Sequence, residues 1–278
     1  GVALFGLVVS LVSLIMFLWR EGARRAAAFV NGDLPDSRLL TAAWPWLVLF
    51  VLATATWLFH IIMANREARP LTMSGATERA AAERKMYLYG GRLLVIAILA
   101  AQLWLLIRAV VIAFLDGGAD GLRAGIGWPV GLALGALAAF GYWFYLHQEA
   151  RADGDLGQER GAAVGWRRLY TYGAALTGAI LAFGGGAELI RAAVRVLMTP
   201  LSGDTAWHIP AAGALAALVI GLPLASFAWR AANRAASFHP PAETNALSRV
   251  LLRYDGVLIA TVITLVTFGY LIEQELGN

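Results

Sequence analysis

Cysteine is absent from the sequence, and charged residues are scarce. Without cysteine the chain can form no disulfide bond, no thiolate metal site and no thiol nucleophile. Only 14% of the 278 residues are charged, whereas a soluble domain normally carries about a quarter. The single lysine, Lys85, lies outside the long apolar runs, which excludes a retinal Schiff base within a span. The small net charge of +4 lies in connecting segments and does not indicate nucleic-acid binding.

Catalytic signatures are also missing from the sequence. It contains no His-Glu-x-x-His, no Gly-x-Ser-x-Gly and no phosphate-binding loop. The segment GIGWPVG resembles part of a dinucleotide fingerprint, but no strand-like segment precedes it. We therefore expect that the protein is not an enzyme.

Seven long apolar runs occupy most of the chain, of which 59% is hydrophobic. They lie near residues 2–19, 42–63, 88–112, 127–148, 170–190, 208–230 and 250–272. Each run is long enough to cross a bilayer, which needs about 20 residues. Because backbone polar groups in lipid must be paired within the segment, the runs should be helices. The sequence predicts an all-α, polytopic integral membrane protein with about seven transmembrane helices.

A motif recurs along the chain at nearly constant spacing. Arg84, Tyr87, Tyr89 and Arg108 correspond to Arg167, Tyr170, Tyr172 and Arg191 at an offset of 83 residues. A third copy follows at an offset of 82, with Arg249, Tyr254 and Glu273. The helices between the copies also repeat, since each opens with a tryptophan close to Pro45, Pro129 or Pro210. This periodicity predicts tandem helix hairpins.

The repeat predicts a single transmembrane domain over residues 1–278, built from these hairpins. Two repeat units are complete, at about 84–166 and 167–248. An incomplete unit precedes them at about 1–83, and a lone helix follows at 249–278. We expect the first run to be a span rather than a signal peptide, because no basic segment precedes it and Trp19-Arg20 ends it.

The distribution of basic residues predicts the orientation. The segments after the second, fourth and sixth helices, with their flanks, hold 14 of the 22 lysine and arginine residues. The positive-inside rule places these segments in the cytoplasm. The N-terminus is therefore predicted to be inside and the C-terminus outside.

The repeated Arg-x-x-Tyr-x-Tyr helix is followed by a return helix that ends in SFAWRAANRAAS. Together these motifs resemble a family of bacterial multi-spanning membrane domains of unknown function, built from such helix hairpins. The resemblance covers most of residues 84–250. It implies a protein integral to the bacterial cytoplasmic membrane, and it supplies no catalytic residues.

Small residues recur every four positions on two predicted helices. The first set is Gly127, Gly131, Gly135 and Ala139, and the second is Gly213, Ala217, Gly221 and Ala225. Small residues at this spacing let a neighbouring backbone approach closely. The pattern predicts helix-packing surfaces, and a conduit or a cofactor groove is the functional alternative.

Four histidines are present, and His60 and His147 fall near corresponding ends of two return helices. Such a pair could bind a haem or the magnesium of a chlorin. When the prolines of the two helices are aligned, however, the histidines differ by about one turn. We keep His60 and His147 as an alternative cofactor site, and otherwise expect bound lipid, no cofactor and no metal.

Ionisable residues within spans are candidates for function or for structural pairing. Arg92, Glu188 and Asp255 lie within the predicted spans, and Arg108, Arg191 and Glu273 share one register of the repeat. We predict that Glu188 or Glu273 pairs with one of the arginines at that register and fixes the last helix against its neighbours. The alternative is an open pocket that binds an anionic ligand or a lipid headgroup.

Three classes of function remain. The first is a non-enzymatic structural or accessory subunit of a membrane protein assembly, which packs against partner proteins, lipids or a second copy of itself. The second is a transporter or channel for a small solute or ion, which the few charges deep in the spans disfavour. The third is an electron-transfer subunit that carries haem, quinone or pigment, which the scarcity of histidine disfavours. We expect the first.

Overall fold

The computed structural model describes residues 1–31, 37–68, 73–124, 127–153, 162–198 and 207–238, together with residue 261. Within these residues, all regular secondary structure is helical. The α-helices are α1 (Val2–Asn31), α2 (Ser37–Ala68), α3 (Met73–Ala80), α4 (Ala82–Lys85), α5 (Gly91–Ala124), α6 (Gly127–Ala152), α7 (Ala162–Met198) and α8 (His208–Phe238). A π-helical turn, Met86–Gly90, connects α4 to α5.

Six helical segments of the described chain are long and apolar enough to cross a bilayer. They are Val2–Ala26, Ala43–Ala68, Ala82–Leu115, Gly127–Ala152, Ala163–Leu197 and His208–Ser237. The prediction of an all-α polytopic membrane protein is therefore confirmed. The seventh predicted span, 250–272, lies outside the described residues.

Two of the spans are longer than the apolar runs that predicted them. Ala82–Leu115 has 34 residues and Ala163–Leu197 has 35. The first includes Lys85, so the prediction that the single lysine lies outside the spans is wrong. At a rise of 1.5 Å per residue, such a helix is about 50 Å long, whereas the hydrocarbon core of a bilayer is about 30 Å thick. Each of these helices must therefore tilt or extend into the headgroup region.

The chain divides by internal packing into two compact units. Unit 1 comprises the described residues of Gly1–Gln102 and Leu122–Tyr170, and unit 2 comprises those of Leu103–Gly121 and Thr171–Asn278. Helices α5 and α7 each contribute residues to both units. The tandem repeat over 84–166 and 167–248 stays a prediction.

In unit 1, α1 packs against both α2 and α6. Leu7 and Leu11 of α1, Leu88 of the π-helical turn and Leu146 of α6 are fully buried at this contact. Helix α1 is apolar on every side, so hydrophobicity alone does not select the face that it buries. Its buried face is marked by Ser10, which lies between these leucines and bonds to the neighbouring helices.

Large apolar side chains cover the exposed surface of α2. Val51, Leu52, Phe59 and Ile62 are each more than half exposed. A soluble protein rarely exposes so large an apolar surface. On a helix that crosses a bilayer, these side chains face lipid or a partner helix.

In unit 2, α7 and α8 approach each other closely at glycines. A Cβ atom added to Gly221 would lie 2.5 Å from the backbone N of Ala182 and 2.7 Å from the carbonyl oxygen of Gly178. At Gly185 it would lie 2.7 Å from the carbonyl oxygen of Ala214. Because any larger residue would collide with backbone here, glycine is what permits this helix separation.

Candidate functional site

The buried polar side chains of the described residues all belong to unit 1. They are Ser10, Ser13, Glu21, Asn65, Arg84, Lys85, Arg92, Gln102 and Asp153. Each of these nine forms a hydrogen bond or an ion pair with another group of the protein. Ser13 and Glu21 bond within α1, whereas the others bond between segments. An unpaired polar group in a membrane interior costs several kcal/mol, so the bonds between segments favour one arrangement of the helices.

The largest of these clusters surrounds Arg84, and we call it the Arg84 cluster. The Arg84 guanidinium donates to both carboxylate oxygens of Asp153, at 2.9 Å and 2.7 Å, and to Oδ1 of Asn65 at 3.0 Å. Lys85 Nζ lies 3.8 Å from Asp153, and Glu149 lies 3.8 Å from Arg84. Two cations and two carboxylates therefore balance each other. The cluster joins the ends of α2 and α6 to α4.

A second cluster surrounds Arg92. Its Nη2 donates to Nδ1 of His147 at 3.0 Å and to the Tyr170 hydroxyl at 3.2 Å. The guanidinium lies 4.1 Å from the centre of the Tyr170 ring and 5.7 Å from that of Tyr89. Its Nε is buried and has no hydrogen-bond partner among the described residues. Arg92 is thus a buried cation held by aromatic faces and by polar groups that carry no charge.

The π-helical turn Met86–Gly90 explains how both arginines reach the same helix. In a regular α-helix, two residues eight positions apart point in directions that differ by about 80°. Arg84 and Arg92 are eight apart, yet their partners Asp153 and His147 both belong to the C-terminal end of α6 or directly follow it. The π-helical turn takes up an extra residue between them and so reduces this difference in direction.

A third group of contacts joins α1, α2, α6 and the π-helical turn. The Trp57 indole N–H donates to the Tyr87 hydroxyl at 2.8 Å, and the Trp57 ring stacks on Tyr142 with centroids 5.3 Å apart. Ser10 Oγ is 2.6 Å from the Thr54 hydroxyl and 2.5 Å from the Tyr142 hydroxyl. These hydroxyls satisfy one another, so none needs water inside the unit.

The two histidines predicted as a cofactor site have opposite donor arrangements. His60 Nδ1 lies 2.8 Å from the carbonyl oxygen of Thr56, which can only accept, so Nδ1 is the donor in this bond. His147 Nδ1 faces Arg92, which can only donate, so that lone pair is already used. Within the described residues, no group of three or more His, Asp or Glu side chains is arranged to hold a metal ion.

The small residues predicted on α6 lie beside α1. A Cβ atom added to Gly131 would be 3.0 Å from the carbonyl oxygen of Trp19, and one added to Gly135 would be 2.7 Å from Oε1 of Gln102. That oxygen accepts a hydrogen bond from the Trp19 indole at 2.9 Å. The glycines therefore leave room for this bond between α1 and α5, while Gly127 begins α6.

The small residues predicted on α8 face two different neighbours. Gly221 lies against α7, and Ala217 Cβ would be 2.9 Å from a Cβ atom added to Gly185. Gly213 instead faces α5, where its carbonyl oxygen accepts a hydrogen bond from the Trp104 indole at 2.9 Å. The same stripe therefore brings α5 and α7 against α8 in unit 2.

The residues predicted as ion pairs also lie in unit 2, as far as they are described. Arg191 Nη1 lies 2.6 Å from Glu188 Oε1, a salt bridge between residues three apart on α7. Because it lies within one helix, this bond does not connect α7 to another helix. Arg108 lies on α5, with its guanidinium 5.6 Å from the centre of the Trp104 ring. Glu273 lies outside the described residues.

Unit 2 also contains an open cavity of about 550 Å³ between α5, α7 and α8. Its walls are mainly apolar, with Ile180 and Leu181 from α7 and Ile209 from α8. Arg108 and Glu188 are the charged residues that line it. Cavities that bind small molecules commonly have this size and this mixture of apolar walls with a few polar groups.

Sequence reasoning missed Asp153, Asn65, Gln102 and Trp104. The first two bond to Arg84, which the sequence presents as an ordinary basic residue of a cytoplasmic segment. A hydrogen bond between two helices leaves no pattern in the sequence near either residue, so it is seen only in the folded structure. The single available signal was the amphipathic character of tryptophan and glutamine inside an apolar run, because each needs a hydrogen-bond partner there.

Comparison with known proteins gives one match. Residues 168–278 match the model of a domain of unknown function (DUF5671). The match includes most of α7 and all of α8, but not Trp104 and Arg108 of α5. No curated protein and no solved structure matches the chain. The chain is thus a membrane-spanning helical protein, and part of it is similar to a domain of unknown function.

Proposed function

We propose that the protein is a non-enzymatic structural or accessory subunit of a membrane protein assembly. The observation that supports this role is the bonding of the nine buried polar side chains within unit 1. A transporter or channel uses buried polar groups that can exchange partners with a solute. Here Ser10, Asn65 and Asp153 instead join α1, α2 and the end of α6 to one another and to the helical segment that begins at Ala82.

The apolar surface of α2 is the best candidate for contact with partner proteins or with lipid. Phe59 is 63% exposed there, while Trp57, two positions earlier, is only 7% exposed. An accessory subunit binds its partner through such a surface, since a close fit between helices compensates for the loss of lipid contacts. The partner can be another membrane protein or a second copy of this chain.

We also propose that the protein is in the bacterial cytoplasmic membrane, with the N-terminus inside and the C-terminus outside. The excess of basic residues after the second, fourth and sixth predicted helices supports this orientation.

A crosslinking experiment in native membranes tests the assembly role. A photo-crosslinking amino acid at position 59 should capture a defined partner in a fixed ratio, because that side chain points away from unit 1. The same amino acid at position 57 is the matched control, and it should give crosslinks within the chain only. If position 59 captures nothing but lipid in native membranes, the assembly role is wrong.

Flux and absorption measurements test the two other functions. Purified protein in liposomes should pass ions and small solutes no faster than empty liposomes, and it should show no visible absorption band. Flux that an Arg92→Gln substitution changes would instead support a transporter. A visible band that is lost in a His60→Ala variant would support an electron-transfer subunit.

A further inference from the structure

Arg108 is a cation in the wall of an apolar cavity. It is half-buried on α5, and its contact in the described chain is the ring of Trp104, with no ion pair and no hydrogen bond. Trp104 is itself fixed by its hydrogen bond to the Gly213 carbonyl. A charged group in the hydrophobic part of a membrane protein normally pairs with an opposite charge. The position therefore favours an anion beside Arg108.

A smaller cavity of about 170 Å³ adjoins the larger one, since Glu188 and Pro210 line both. Arg191 and Arg195 also line this smaller cavity. Glu188 is bonded to Arg191, so the carboxylate that lines both cavities is held by an arginine other than Arg108.

We propose that unit 2 binds one anionic phospholipid, with an acyl chain in the larger cavity and its phosphate at Arg108. The apolar walls suit a hydrocarbon chain, because burying apolar surface is favourable. The guanidinium suits a phosphate, to which it can donate two parallel hydrogen bonds. The cavity lies between segments that span the bilayer, where phospholipid is the abundant amphiphile.

Native mass spectrometry on the purified, delipidated chain measures this binding without any partner protein, so its result is independent of the assembly role. Titration with phosphatidylglycerol should add one lipid that is retained about tenfold more tightly than phosphatidylethanolamine. Arg108→Gln should remove this difference, because a lost charge-assisted hydrogen bond commonly weakens binding about tenfold or more. Arg108→Lys should retain part of the preference, and Arg151→Gln, at an exposed position of α6, should retain all of it.

Two glycines on α7 provide a matched test of the acyl-chain site. A Cβ atom added to Gly184 or to Gly186 would meet no other atom within 4 Å, but only Gly184 lines the cavity. Gly184→Leu should therefore fill the cavity and lower phosphatidylglycerol retention about tenfold. Gly186→Leu changes the helix in the same way and should bind the lipid as the wild type does.

Three results would overturn the proposal. One is equal retention of phosphatidylglycerol by the wild type, Arg108→Gln and Gly184→Leu. Another is equal loss in Gly184→Leu and Gly186→Leu, which would mean that α7 is perturbed in general. The third is competition by millimolar inorganic phosphate, which would show that the site holds a free anion and not a lipid.

Discussion

Replacing Asp153 by alanine should destabilise the protein more than any change at an exposed carboxylate. Asp153 accepts two hydrogen bonds from Arg84 and lies 3.8 Å from Lys85. Both Arg84 and Asp153 have less than 10% of their side chains exposed. Removing one partner of a buried pair costs about 3–5 kcal/mol, and here Arg84 and Lys85 would be left with Glu149 as the remaining carboxylate of the cluster.

The effect can be measured by intrinsic tryptophan fluorescence during heating, because the chain has 10 tryptophans. At 2–4 °C per kcal/mol, the expected fall in melting temperature is about 6–20 °C. Glu67→Ala, at an exposed position near the end of α2, is the control and should shift melting by less than about 2 °C. The double variant Arg84→Met, Asp153→Ala should melt above Asp153→Ala alone, because it removes the orphaned charge. The reasoning would be refuted if the Asp153→Ala and Glu67→Ala variants had the same melting temperature.

Three further results are expected. Tyr87→Phe removes the acceptor of a buried indole N–H and should cost about 1–3 kcal/mol in thermal unfolding; an unchanged melting temperature would contradict the bond. Gly221→Val should separate α7 from α8, because a Cβ atom there would be 2.5 Å from the backbone N of Ala182, and hydrogen exchange in α8 should increase; exchange equal to the wild type would argue against the close approach. Cysteines introduced at Ser74 and Asp120 should react with impermeant reagents from opposite sides of the membrane, and labelling from one side would exclude the predicted topology.

The class of fold could be predicted from the sequence because the lipid environment restricts the backbone conformation. Apolar runs of about 20 residues must be helices that pair their own backbone groups, whatever surrounds them. The ends of the spans were less predictable. Hydropathy falls at Arg84 and Lys85, but the helix continues through them because Asp153, 69 positions later than Arg84, compensates their charge inside unit 1.

Some contacts of the candidate sites follow from a local sequence pattern, and others depend on how distant segments of the chain pack. Gly221 belongs to a stripe with helical spacing, and the pattern alone predicted a close helix contact there. The bond between Trp19 and Gln102 has no such pattern, since it depends on how α1 and α5 come together. The motif Tyr-x-Tyr-Gly likewise does not determine geometry, because it forms the π-helical turn at Tyr87 and regular α-helix at Tyr170.

The Arg92 guanidinium places a permanent electrostatic barrier inside unit 1. The described groups that hold it, aromatic rings and a histidine whose Nδ1 accepts its hydrogen bond, contribute no negative charge. At an effective dielectric constant of about 20, a monovalent cation 4 Å away would be repelled by about 4 kcal/mol. That energy lowers the local population of the cation about a thousandfold. Protons and metal cations would therefore avoid this part of the bundle.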